Sequence, residues 1–592
     1  MRRNHVLMLI AALMLPAAAA YAKPVTFTAS PLTQALEVPP TGSTATGSAT
    51  IVLDPTANTL AVHVTFSGLT SNTIMAHIHC CLASPFVTGV NVGVATTVPA
   101  FPGFPLGVTS GTYDHVLDLT SASSYNPAFV TLQGGTVAGA EAALIKGIQN
   151  GETYLNIHTV NFPGGEIRGF LVASPTPAQL SLLTTIPING TSGNPATKMF
   201  SFDISFVDPV TGLYYLGDRS NAALDVIDTT GAFTGTPDTL YGQIGGAAFN
   251  FGGDTGLNQA SNVAQGPNGV AAKSPCIFAT DGLSRVVSIN SNVSFVTPMS
   301  SVSTGGTHRA DELAIDPKDS VLLVINNADT PAFGTLISFS ANCTLTVGTK
   351  IAFSTIGATN GAEQPVWEPM TQRFYVSIPE INGPGDGTGP NGGVARINPT
   401  SGAIETVYPV NFMQPAGLTV GPNGDLLVGS NSVFDTSGKK CSAVVPSPTA
   451  PGTTAAGAPA TCTGIGFPQV AICNPGKGCT GNALVSVPGV GGGDEVWYNS
   501  GDGNYYVTAG NDPVGPVFGV VGSVVNTLSQ LVPTLPPVPA VGVAGAASFV
   551  HSAGTVHSIT ASAANNHVYV ALPANTSYPN CAQGCIAVFS AQ

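Results

Sequence analysis

Three histidines carry the most specific chemistry in this sequence. His77 and His79 stand at i and i+2 in TIMAHIH, so on a β-strand both imidazoles would face one side. His158 ends a second strand-like run, TYLNIH, just ahead of the glycine pair Gly164-Gly165. Imidazoles that converge suit copper or zinc. The alternative is that they hydrogen-bond loop backbone and hold one end of a sheet together. Cys80 and Cys81 follow directly and could add thiolates, although export favours their oxidation. Glu166 and Arg168, also i and i+2, read as a structural ion pair.

A second set of polar residues recurs with a period. Asp203, Asp311, Glu363, Asp494 and His557 hold one position of a repeated unit, and Asp218, Asp281, Asn326 and Asn431 hold the position fifteen residues later in their own copies. Both positions are expected at one mouth of a central channel. Carboxylates and amide oxygens gathered there would suit a divalent cation or a polar ligand. Mutual repulsion could also raise a carboxyl pKa for acid–base work. The alternative needs no ligand: each residue bonds the backbone of the neighbouring unit.

The unit that must position them is clearest at Ser201–Gly231, SFDISFVDPVTGLYYLGDRSNAALDVIDTTG. It reads as three strands, with a turn at Pro209–Gly212 between the first two. A spacing of eleven links Asp203 to Tyr214, Asp311 to Leu322, Glu363 to Phe374, Asp494 to Tyr505 and His557 to Val568, with weaker copies at Gly266 to Ile277 and Ala416 to Leu427. Repeats at this interval predict a β-propeller, here of seven blades. The last copy ends at the C-terminus without a fourth strand. Leu180–Ile188 is expected to supply it and close the ring.

Residues 25–173 lack this period and predict a separate antiparallel sandwich or barrel. Here LTQALEVPPTGSTATGSATIVLD, GLTSNTIMAHIH and NGETYLNIHTVNFPGGEIRGFLV, in that order, resemble the CHRD domain first described in chordin. One departure stands out: Cys80-Cys81 replaces the Gly-Pro-like loop usual in the family. The resemblance implies a fold and not an activity. GDRSNAALDVIDTTG resembles the YVTN/NHL-like propeller repeat, and the acidic mouth is more distantly similar to the metal-using gluconolactonase-type propellers.

Composition bounds the rest. Charged residues are 8% of 592, Gly 70 and Pro 47 suit many tight turns, and long amphipathic helical patterns are absent, so the expected class is all-β. A net charge of −14 argues against nucleic acid. Met1–Ala22, with Arg2 and Arg3, an apolar run and Ala20-Tyr21-Ala22, reads as a signal peptide, which places the mature chain in the periplasm or outside the cell. No transmembrane span is expected elsewhere. Residues 174–179 read as a linker, 180–592 as the propeller, and 437–481 as a disulfide-tied insertion. Ten cysteines predict disulfides: Cys441/Cys462, Cys473/Cys479 and Cys581/Cys585 as local staples, Cys276/Cys343 between neighbouring copies. The expected function is non-catalytic binding or scaffolding, with a protein, polysaccharide or small molecule as partner. The competing expectation is a metal-dependent, lactonase-type hydrolase at the acidic mouth.

Overall fold

A computed structural model of the chain describes residues 24–82, 90–174, 179–194, 196–254, 264–282, 284–421, 424–434, 438–440, 466–471, 484–488, 490, 495–509, 517–523, 527–534 and 556–591. The expected signal peptide, Asp494 and both cysteine pairs within 437–481 lie outside these residues.

The N-terminal part is one sheet and not a two-sheet sandwich. Its strands are β1 (Val25–Thr33), β2 (Thr46–Asp54), β3 (Thr59–Ser67), β4 (Thr73–His79), β5 (Gly111–Asp118), β6 (Tyr154–Thr159), β7 (Ile167–Phe170) and β8 (Val172–Ala173). They pair in the order β4-β6-β7-β1-β2-β3-β5, with β8 on β1, as a half-barrel. The expected second sheet is replaced by helices α1 (Pro127–Leu132) and α2 (Val137–Gln149), which the sequence reading missed. α2 starts at Thr136, whose Oγ1 accepts the Gly139 N–H at 3.1 Å. Its stripe of Ala140, Leu144 and Ile148 completes the core under Phe27, Ile51, Val62 and Ile78. The helix was masked by a sequence rich in alanine and glycine, which gives the apolar stripe little contrast.

The rest is a propeller-like ring of four-stranded antiparallel sheets. Six are each built from four strands consecutive in sequence. The remaining sheet is composite: Ile559–Ser562, His567–Leu572 and Cys585–Ala591 are joined by β9 (Leu180–Pro187), the segment expected to complete the last copy. β9 runs antiparallel to Cys585–Ala591, from Cys585 opposite Pro187 to Ala591 opposite Leu180. The inner strands contact one another in sequence, and Ile559–Ser562 contacts Ser205–Val207, so the circle closes.

The eleven-residue spacing has a simple origin. Ser205 pairs with Leu216, Leu313 with Val324, Pro365 with Val376, Val496 with Val507 and Ile559 with Val570. In these five copies the hairpin turn has the same length; in the two weaker copies it is shorter, with Val270 pairing with Ala279 and Leu418 with Val428. A polar side chain caps that turn: Asp208 accepts from the Val210 N–H at 2.9 Å, Asp316 from Lys318 at 2.9 Å, Glu368 from Met370 at 2.8 Å and Asn499 from Gly501 at 3.2 Å.

Disulfides join Cys276 to Cys343, across adjoining sheets, and Cys581 to Cys585. Among the described residues no helix is long and apolar enough to cross a membrane.

Candidate metal centre and channel mouth

Strand alternation puts Ala76 and Ile78 of β4 in the core and His77 and His79 on the other face. Register then brings β6 alongside, with Met75 opposite His158, His77 opposite Asn156 and His79 opposite Tyr154. His77 lies 4.7 Å from both His79 and His158, ring centre to ring centre, and His79 and His158 are 6.1 Å apart. All three are buried. One nitrogen from each falls within 4.8 Å of the others.

The hydrogen bonds set the chemistry of this cluster. His79 Nδ1 meets the Val92 carbonyl at 2.7 Å, and His158 Nδ1 meets that of Pro163 at 2.9 Å. A carbonyl only accepts, so both Nδ1 atoms carry hydrogen and both Nε2 atoms present lone pairs. Those two Nε2 atoms and His77 Nδ1 have no hydrogen-bond partner, which is costly for buried polar atoms. Burial, reinforced by the neighbouring imidazoles, pushes His77 down to about 2. Burial brings His79 to about 4 and also lowers His158. The trio is therefore neutral at neutral pH, the form that binds metal.

Around it lie further groups, of which Tyr154, Asn156 and Glu37 carry no signal in the sequence. Tyr154 stacks on His79 at 4.6 Å, and the Arg168 guanidinium sits 4.4 Å over Tyr154. Asn156 donates to Glu37 at 2.9 Å. Burial raises Glu37 to about 8 against the opposing pull of Arg168. Glu166 and Arg168 are not the expected ion pair. Glu166 accepts from Ser43, Thr70 and Thr159, while Arg168 donates to Asn91 at 2.9 Å and to the Leu36 carbonyl. The separation follows from Glu166 lying just before β7, where the chain turns it toward the 41–43 and 70 loops.

In the ring, the structure brings Asp203, Asp311 and His557 close together. His557 Nε2 is 2.8 Å from Asp203 Oδ1 across the seam between the first and composite sheets. The opening is not a bare ring of carboxylates, because two buried arginines enter it. Arg219 pairs with Asp203 and lies 3.7 Å from Asp311, while Arg309 binds Asp311 through two bonds of 3.0 and 2.7 Å. Glu363 accepts from Asn327 at 3.4 Å. Glu495, beside Asp494, comes within 4.8 Å of Asp203 and His557.

Of the residues fifteen positions later, Asp218, Asp281 and Asn326 are each bonded by neighbouring groups. Asp218 accepts from Ser220 at 2.7 Å and from the Asn221 side chain at 2.6 Å. Asp281 accepts from the Gly252 N–H at 2.9 Å and from Arg285 at 3.0 Å. Asn326 bonds Thr304 and Ser284 at 2.7 and 2.8 Å. These side chains tie down loops of their own or the adjoining sheet, mostly through other side chains rather than through the neighbouring backbone. Asn431 lies on the strand Asp425–Val433.

Asp203 carries a pH prediction. Burial alone would raise its carboxyl, but Arg219 and then His557 outweigh that and hold it well below its usual 3.8. A depressed folded-state pKa gives stability that is present above 3.8 and lost as pH falls below it. The stability gap between the protein and Asp203→Asn is therefore expected to close as the pH drops from 5 toward 2, read by chemical denaturation. A gap that holds constant or widens would contradict this.

Residues 28–171 match the CHRD domain family. That segment is a CHRD domain. No curated protein sequence matches the chain. Among solved structures, hydrazine synthase of Kuenenia stuttgartiensis is 12% identical with a TM-score of 0.42, over 66% of this chain and 99% of that one. A structure titled mitotic checkpoint complex is 10% identical with a TM-score of 0.38, over 70% and 91%. A structural-genomics protein of unknown function from Bacteroides thetaiotaomicron is 10% identical with a TM-score of 0.35, over 77% and 93%. At these scores the likeness says nothing about what this chain does. Within the CHRD domain, Cys80 and Cys81 are joined to each other, so they offer no thiolates to the histidines. Their sulfurs pack on α2, where a Cβ on Gly147 would stand 2.6 and 2.8 Å from them.

Proposed function

We propose that this is an exported, non-catalytic binding protein whose CHRD domain holds a copper or zinc ion through His77, His79 and His158. The observation that carries the metal reading is a set of three buried imidazoles that each offer a nitrogen within 4.8 Å of the others and each carry a nitrogen with no hydrogen-bond partner. Two of the three imidazoles are oriented through Nδ1 by backbone carbonyls, the arrangement that fixes ligand histidines in metal proteins. Imidazole nitrogens without a carboxylate suit copper and zinc better than magnesium or calcium. Bound there, the ion would satisfy the three lone pairs and tie β4 to β6.

The ring serves as scaffold in this reading. We count its composite sheet as a seventh blade, because Ile559–Ser562 contacts the inner strands on both sides. Disulfides and a CHRD domain agree with an extracellular setting. The hydrolase reading is less favoured on electrostatic grounds. A divalent cation at Asp203 and Asp311 would meet the guanidinium groups of Arg219 and Arg309, which already neutralise those carboxylates.

The test is metal analysis of the full chain. After incubation with copper or zinc and desalting, one equivalent per chain is expected, falling at least tenfold in His77→Ala and in His158→Ala. Absence of both metals, or equal retention in the two variants, would remove the proposal.

A further inference from the structure

The two ends of the ring channel differ. Away from Asp203, the CHRD domain docks on the first hairpin turn, where Asn150 donates to the Pro209 carbonyl at 3.4 Å and Lys146 to that of Val210. Between the domains lies a cavity of about 370 Å³. Phe170 and Leu171 of the CHRD domain face it, together with inner-strand residues including Phe206, Ile315, Trp367 and Trp497.

Its walls carry no available charge. No Lys, Arg or His lines it among the described residues. Of its two acids, Asp208 is held by the Val210 N–H at 2.9 Å and the Thr211 hydroxyl at 2.8 Å. Glu368 is held by the N–H groups of Met370 and Thr371 at 2.8 and 2.6 Å. Thr419 accepts from the Tyr498 N–H at 3.2 Å. Both acids are thus occupied within their own turns, and most of the lining is aliphatic and aromatic. The chain has only two tryptophans, and both border this space. Apolar cavities of this kind stay dry or take an apolar guest, and the volume lies within the range of about 300–1,000 Å³ typical of small-molecule sites.

We infer that the cavity between the CHRD domain and the ring binds a neutral, mainly hydrocarbon or aromatic small molecule. The site is separate from the histidine centre and does not depend on metal. Aromatic walls recognise flat or branched apolar groups by area and dispersion, and the absence of an available counter-charge selects against ions.

The two tryptophans make the test direct. The full-length protein is titrated with N-phenyl-1-naphthylamine, a neutral probe that accepts energy from indole. Saturable one-to-one binding with quenching of tryptophan emission is expected. Trp367→Phe and Trp497→Phe are each expected to remove a large part of the transfer while the probe still binds. Val366→Phe, which fills the space, is expected to weaken binding at least tenfold with an unchanged circular dichroism spectrum. An anionic naphthalene sulfonate is expected to bind at least tenfold more weakly than the neutral probe. Non-saturating binding, unchanged affinity in a folded Val366→Phe protein, or equal binding of the anionic probe would each overturn the inference. If Val366→Phe does not fold, the two tryptophan variants decide: transfer unchanged in both places the probe elsewhere and overturns it.

Discussion

Arg219→Met is expected to destabilise the ring by about 3–5 kcal/mol, the range found when one partner of a buried ion pair is removed. Arg219 is 6% exposed and stands between two carboxylates, bonded to Asp203 and 3.7 Å from Asp311. Its Nε also donates to Asn268 at 2.7 Å, so one side chain spans the first, second and third sheets. Methionine keeps much of the length and apolar stem but removes the guanidinium from between Asp203 and Asp311. Arg219→Lys restores charge without the planar fork and should fall between the two. Denaturant unfolding of the three proteins reads the order. Equal stability of Arg219→Met and the parent would mean that the carboxylates are satisfied without the arginine, and the bare acidic opening expected from sequence would return.

The second large effect belongs to the seam. Ile186 of β9 is 4% exposed and packs with Phe202, Leu216, Tyr569 and Val588, so it binds the composite sheet to the first. Ile186→Asp buries an unpaired carboxylate there and is expected to cost about 4 kcal/mol or more. Leu183 on the same strand is 50% exposed, and Leu183→Asp should change stability by no more than about 0.5 kcal/mol. Amide hydrogen exchange should then rise first along Cys585–Ala591, the strand β9 pairs with, in Ile186→Asp alone. Matching behaviour of the two variants would mean that β9 does not close the ring.

Much of this fold was legible because it repeats. The eleven-residue spacing marks hairpins of constant turn length, so Asp203, Asp311, Glu363 and His557 take equivalent places without any knowledge of the third dimension. The missing strand of the last copy pointed to Leu180–Ile188 for the same reason. His77 and His79 were legible as a same-face pair through strand alternation.

What remained hidden came from contacts between distant segments. Arg219 and Arg309 hold no shared position in the repeat, yet they enter the mouth and change its character from acidic to ion-paired. The residues fifteen positions on look like channel groups because they recur, but Asp218, Asp281 and Asn326 are each bonded by a nearby loop. Sequence leaves the N-terminal part as a sandwich or a barrel and gives no sign of α2, because strands announce themselves by alternation, whereas the choice of covering layer depends on packing.

Local pattern alone therefore determined the hairpins, their register, the pairing of His77 with His79 and the seam at β9, since each follows from strand geometry and turn length. Only tertiary structure decided that His158 completes the histidine trio, that arginines neutralise the mouth and that the CHRD domain roofs an apolar cavity. Those outcomes depend on which groups are brought together from far apart in the chain and on what burial does to their charge.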